Sequence, residues 1–177
     1  PSFVGIICMV NHWTEKIFLE NPLLFLPILQ RRLSFTENEV QTLLGIFKEF
    51  NVPENGCILD LACGIGRHSI LLAEAGYNIV GIDISPEYID IAKKISKERG
   101  VDKKCQFYVG DMRYLKNSIV DEKFDVVISM FTSLGYYDKQ TDFNILKQAN
   151  ELSSKNCILI IEIMNKNYIA KYVRKTW

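Results

Sequence analysis

Three carboxylates, Asp60, Asp83 and Asp111, stand at the ends of successive apolar runs, each beside residues that turn the chain. Asp60 opens the stretch Asp60-Leu-Ala-Cys-Gly-Ile-Gly66, where Gly64 and Gly66 let the backbone approach a ligand and turn into a following helix. Two glycines alone are a weak signal, and the aspartate sharpens it. A loop that seats a pyrophosphate on a helix N-terminus is repelled by a carboxylate pointing into it, whereas a zwitterionic or cationic ligand is attracted. The third glycine of a dinucleotide G-x-G-x-x-G is also missing, with Ser69 in its place. Asp83 suits two ribose hydroxyls. Asp111, in Gly110-Asp111-Met112, can accept a hydrogen bond from an exocyclic adenine amine, with Ile84 and Met112 placed to sandwich the ring. Plainer readings stand beside these: a tight turn for the glycines, a helix cap before Ser85-Pro86 for Asp83, and a turn residue for Asp111.

For such residues to converge, they must lie at the carboxyl ends of parallel strands, near the point where the strand order reverses. The pattern supplies five apolar runs read as strands: Cys57–Leu61, Asn78–Asp83, Cys105–Val109, Phe124–Ser129 and Cys157–Ile163. Helical patterns alternate with them. Thr36-x-x-Glu39 reads as a capping box, followed by Val40, Leu43, Leu44, Phe47 and Phe50 at helical spacing. Arg67–Ala75 is helical and stops at Gly76; Ser85 caps a helix with Pro86 at its first position, closed by Gly100. Ile145, Leu146, Ala149 and Leu152 mark another helix. Alternation of this kind predicts an α/β fold: a doubly wound, Rossmann-like, mainly parallel sheet covered on both faces. Residues 1–35 are expected to form an arm or cap, and 36–165 the core.

Composition narrows the classes. The 177 residues carry 21 basic and 21 acidic side chains, so the net charge is zero, which argues against a general phosphate-backbone binder and predicts no nucleic-acid partner. The five cysteines, Cys8, Cys57, Cys63, Cys105 and Cys157, include no C-x-x-C pair and suggest buried thiols in a reducing, cytoplasmic compartment. With His12 and His68 the only histidines, zinc is not expected. Pro1–Val10 is apolar but lacks a basic flank and is too short to span a membrane, so no membrane association is predicted. Met9 would make a natural translation start; an ordinary N-terminal strand or arm fits equally.

The ordered motifs resemble those of class I S-adenosylmethionine-dependent methyltransferases. Ile58–Gly66 (ILDLACGIG) is similar to motif I, Gly81–Ser85 (GIDIS) to the acidic motif after it, and Val109–Met112 (VGDM) and Phe124–Tyr137 (FDVVISMFTSLGYY) to the third and fourth. Cys63-Gly-Ile-Gly-Arg67-His68-Ser69 resembles a branch acting on small molecules. The resemblance covers about residues 36–165; Ala62 departs from it, since most members carry glycine there and alanine trims space near the methionine moiety. It implies that Asp60 and the backbone of Ala62, Cys63, Gly64 and Gly66 hold the methionine end of S-adenosylmethionine, that Asp83 holds the ribose, and that Asp111 and Met112 hold the adenine beside Ile84. Met130 would line the floor beneath the methyl group, and Arg67 would reach the cofactor carboxylate or lie solvated in the first helical turn. His68 reads as packing more readily than as a base, and Trp13 as a lid or an ordinary aromatic.

The reaction so implied is in-line displacement at an already activated sulfonium methyl, where the protein supplies position and excludes water. No general base stands out. The Asn/Asp-Pro-Pro-aromatic signature of many nucleic-acid and protein N-methyltransferases is replaced by Ser129-Met-Phe-Thr-Ser133, so a small-molecule acceptor is expected. Thr132, Tyr136 and Tyr137 are candidates to face it, or to form a loop packed on the cofactor. An NAD-type oxidoreductase and a non-catalytic relative are the competing classes. The family's sheet normally has seven strands, the last two a hairpin, whereas Asn165–Trp177 reads as the start of a linker into a substrate-recognition region. The fifth strand would then be an apolar edge, so the chain is expected to be part of a longer enzyme or to associate, as a homo-oligomer, through that edge.

Overall fold

The computed structural model describes residues 12–119, 123–165 and 167. Cys8, the Pro1–Val10 segment and all of the expected linker except Asn165 and Asn167 lie outside the described residues.

Apolar runs bounded by turns form five strands, β1 (Cys57–Leu61), β2 (Asn78–Asp83), β3 (Cys105–Val109), β4 (Phe124–Ser129) and β5 (Ser153–Ile161). All pair in parallel, in the order β3-β2-β1-β4-β5. The order reverses between β1 and β4, which leaves a crevice above their carboxyl ends. Side chains alternate between two cores: Ile58, Ile79, Phe107 and Val126 face one side, Leu59, Val80, Ile82 and Val127 the other. Burial on both faces is why these strands read as continuous apolar runs.

The helices are α1 (Trp13–Glu15, continuing as π-helical turns over Lys16–Glu20), α2 (Pro22–Glu49), α3 (Arg67–Glu74), α4 (Pro86–Glu98) and α5 (Lys139–Glu151), with a 3-10 segment over Met112–Asn117. Ser85 accepts from the Tyr88 N–H, so the cap expected for α4 forms. α2, α3 and α4 supply one core; α5 and the 3-10 segment supply the other.

Two expectations are corrected. Thr36 does not start a helix: α2 begins at Pro22 and runs unbroken through it, with buried Pro22, Leu29, Thr36 and Leu43 recurring every seven residues. Pro27 is accommodated because the carbonyl it leaves without an N–H partner belongs to Leu23, at the exposed start of the helix. Thr36 donates its hydroxyl to the Arg32 carbonyl (3.0 Å), and Glu39 pairs with Arg32 in the same helix and with Arg67 and His68 outside it. The last strand begins at Ser153 and ends at Ile161, earlier than Cys157–Ile163. Its polar start follows directly on α5, with Ser153 opposite Phe124 and a register shift before Val126.

Candidate functional site

The crevice is a cleft of about 810 Å³, counted out to where it meets solvent. The loop after β1 supplies Asp60, Ala62, Cys63, Gly64, Ile65, Arg67 and His68; β2 ends in Asp83 and Ile84; Gly110, Asp111 and Met112 follow β3; Met130, Phe131, Ser133, Tyr136 and Tyr137 follow β4. Thr14, Phe18, Phe25 and Leu29, from the N-terminal helices, complete the wall. Ten of the eleven residues expected at the site therefore line one cleft.

Gly66 is the exception. A Cβ there would lie 3.0 Å from both Ala92 Cβ and Phe107 Cζ, so this glycine lets α3 pack against α4 and β3. Gly64 is open by contrast: with φ +56°, its Cβ would meet only Leu29 Cδ1, at 3.4 Å. Ala62 also has a left-handed backbone, φ +56°, which explains why glycine is the easier residue there.

The carboxylates are held by their own surroundings. Asp60 is 3% exposed and accepts from Ser69 Oγ at 2.6 Å; burial pushes its carboxyl up from the ordinary range. Asp83 accepts from the Gly64 N–H (2.8 Å) on Oδ2 and from the Ser85 N–H (2.9 Å) on Oδ1. Burial pushes it up to about 6, against those two donors. Asp111 accepts from the Arg113 N–H on Oδ1 and from Arg113 Nε on Oδ2, each at 2.8 Å.

Arg67 is not solvated. It is 6% exposed, donates through Nη1 to Thr36 Oγ1 (3.0 Å) and pairs with Glu39, and its guanidinium lies 5.3 Å from the Phe131 ring centroid. Its Nη2 is buried without a hydrogen-bond partner. His68 pairs through Nε2 with the same Glu39 oxygen, at 2.9 Å, and Arg32 pairs with the other. The hydrogen bond with His68, then that from Arg67, hold Glu39 down to about 2 against its burial.

The loop after β4 is strained. Phe131 (φ +60°) and Thr132 (φ +61°) are both left-handed. Glu162, just past β5, secures them: its side chain accepts from the Phe131 N–H and its carbonyl from the Thr132 N–H, both at 3.0 Å. Thr132 does not line the cleft, whereas Tyr136 and Tyr137 do. Trp13 is 45% exposed and does not line the cleft; it meets Tyr136 edge-on at 4.8 Å, and Thr14 and Phe18 line the cleft in its stead.

Glu39, Arg113, Phe131 and Glu162 were not singled out as site residues by motif. Glu39 carried a signal: with Thr36 it extends the buried stripe of Val40, Leu43 and Phe47, an unusual place for a carboxylate without partners.

The doubly wound parallel sheet, with carboxylates at the ends of three neighbouring strands, is an α/β domain with an open cleft at its switch point. A family model described as a methyltransferase domain matches residues 54–176. YqeM of Bacillus subtilis, named as a methyltransferase, is 34% identical over 125 residues, 70% of this chain and 48% of the relative. The ubiquinone biosynthesis O-methyltransferase of Pelagibacter ubique is 31% identical over 135 residues, 73% of this chain and 52% of the relative. The crystal structure of an S-adenosylmethionine-dependent methyltransferase from Clostridium acetobutylicum shares the fold, with a TM-score of 0.65 at 22% identity over 75% of this chain and 52% of that one. The chain belongs to the methyltransferase domain family. It spans about half the length of these relatives.

Proposed function

We propose that the chain forms the cofactor-binding part of a methyltransferase that moves a methyl group from S-adenosylmethionine to a small molecule. The observation that carries this reading is the row of Asp60, Asp83 and Asp111 at the ends of neighbouring strands in one cleft. Their order along the sheet suits a ligand with an ammonium-bearing amino-acid end, a ribose and an adenine. Bound there, S-adenosylmethionine supplies a sulfonium methyl already activated for transfer.

The chain's own residues then hold and enclose it. Asp60 and the open backbone at Ala62, Cys63 and Gly64 receive the amino-acid end, and the unpartnered Nη2 of buried Arg67 suits its carboxylate. Asp83 takes the ribose hydroxyls on the lone pairs left by Gly64 and Ser85. Asp111 takes the adenine amine, with Ile84 and Met112 against the ring. Met130 lies at the floor, and Phe18, Phe25 and Phe131 keep water out. His68, tied to Glu39, is a positioning group and not a base.

The aromatic wall and the name of the Pelagibacter relative, an O-methyltransferase of ubiquinone biosynthesis, support a planar small-molecule acceptor over a polymer. Among the described residues Cys63, Cys105 and Cys157 are free thiols, in keeping with a reducing cytoplasm. Among the described residues no helix is long and apolar enough to cross a membrane. The β5 edge, where Leu159 is exposed, is the surface through which copies would associate; sedimentation at increasing concentration tests this. Calorimetry with S-adenosylmethionine and NAD tests the cofactor: tight binding of the first alone is expected, and binding of NAD alone refutes the reading. Mass spectrometry of co-purified small molecules, followed by turnover assays on them, tests the acceptor class.

A further inference from the structure

Arg113 belongs to no motif used above, yet it joins three separate pieces of the cleft. Its main-chain N–H and its Nε each donate to a different oxygen of Asp111, both at 2.8 Å. Its Nη2 donates to Glu15 Oε1, also at 2.8 Å, on the N-terminal helical segment. Its guanidinium lies 4.8 Å from the ring centroid of Tyr137, in the loop after β4. Tyr137 in turn meets Thr14 through its hydroxyl at 3.3 Å, one residue before Glu15. The Arg113 carbonyl accepts from Gln148 Nε2 on α5 (2.9 Å), which anchors the residue to the sheet's covering layer.

We propose that Arg113 is a positioning residue that sets the Asp111 carboxylate for the adenine amine and latches the N-terminal segment over the occupied adenine pocket. This rests on the reading that Asp111 accepts from adenine. The reasoning is geometric. A carboxylate on a single Cβ can rotate; here one oxygen is fixed by a main-chain donor and the other by a guanidinium, so its plane is set before ligand arrives. Such preorganisation removes an ordering cost from binding and sharpens discrimination between an amine and a carbonyl at the same ring position. The same guanidinium nitrogen row reaches Glu15, so closure of the segment and orientation of the carboxylate draw on one side chain. Replacing Arg113 leaves the main-chain donor to Asp111 but removes the guanidinium from both Asp111 and Glu15, whereas replacing Glu15 undoes only the latch.

The test measures binding of S-adenosylhomocysteine and S-inosylhomocysteine, which differ in an amine against a carbonyl at purine position six and in the proton that the inosine compound carries on N1. The wild-type chain is expected to prefer the adenosine compound by about tenfold or more. Arg113→Met should bind both weakly, with a preference below about threefold. Glu15→Gln should weaken both ligands alike and keep the wild-type preference. Arg113→Lys serves if the Met variant does not fold; one ammonium cannot hold Asp111 and Glu15 in the same fork geometry, so its preference should fall between the two. A folded Met or Lys variant with the full wild-type preference overturns the proposal and leaves the adenine reading of Asp111 intact. A wild-type chain that binds both ligands equally refutes the adenine reading, and the proposal with it.

Discussion

Replacing Glu39 by glutamine removes one charge and little volume from a cluster that also holds Arg32, Arg67 and His68. The folded carboxyl sits at about 2 against an ordinary 4.5, which corresponds to about 3 kcal/mol as an upper bound. The Glu39 side chain keeps 17% of its surface in water, and screening lowers the expected loss to about 1–2 kcal/mol. For a chain of this size that is a fall in Tm of about 3–6 °C at pH 7. The pH dependence gives the sharper result. Because the folded value lies below the unfolded one, the contribution is complete above about pH 4.5 and fades as pH falls towards 2. The gap between wild-type and Glu39→Gln urea midpoints should therefore be constant from pH 7 to about 5 and narrow below that. S-adenosylmethionine affinity should fall in the variant, since Arg67 loses the anion that fixes it. A variant as stable as wild type at pH 7, or a gap that persists undiminished at about pH 3, would refute the reasoning.

Three further outcomes follow from the same geometry. Asp83 is held up to about 6 by burial, and ribose hydroxyls favour its ionised form, so S-adenosylmethionine affinity should weaken below about pH 6 by up to tenfold per pH unit; Asp83→Asn should bind more weakly, by about 1.5–3 kcal/mol at pH 7, and lose that pH dependence, as calorimetry between pH 5 and 8 would show. Gly66→Ala should destabilise the fold by more than about 2 kcal/mol because its Cβ meets Ala92 and Phe107 at 3.0 Å, while Gly64→Ala should cost only about 1–2 kcal/mol in urea unfolding yet lose ligand binding. Ala62→Gly should raise stability by about 0.5–1 kcal/mol, the relief of a left-handed alanine less the added freedom of the unfolded chain, and a loss of stability would show that the methyl group packs usefully.

The strands that carry the carboxylates were legible because burial on both faces makes them uninterrupted apolar runs, and the first four ran as read. The fifth was misplaced because Ser153–Asn156 is polar where it begins, so periodicity registered only its apolar half. α2 was read from Thr36 because prolines at 22 and 27 mask a helical stripe, and because Thr36 and Glu39 fit a cap as well as they fit a buried ion cluster. Local pattern cannot separate those two uses; the deciding partners, Arg67 and His68, lie about thirty residues away. Arg113 and Glu15 are 98 residues apart, and nothing in either neighbourhood announces the pair. The left-handed turn at Phe131 and Thr132 is hidden for a different reason: neither residue type favours that conformation, so only the tertiary structure imposes it.

That turn also bears on the order in which the molecule assembles. Two non-glycine residues in left-handed geometry cost about 1–2 kcal/mol each, and their restraint comes from Glu162, 31 residues later in the chain. Until β5 docks beside β4, the two hydrogen bonds to Glu162 are missing, and the backbone of Met130 to Ser133 lacks that restraint. The β1–α3–β2 unit, by contrast, closes through contacts between near neighbours, which form fastest. The loop after β1 is therefore expected to form early and the turn after β4 last, so that during refolding a pulse of exchange labelling should protect the amide of Ile70 before that of Phe131. The Met130–Ser133 side of the cleft is the last part of the site expected to take its final shape.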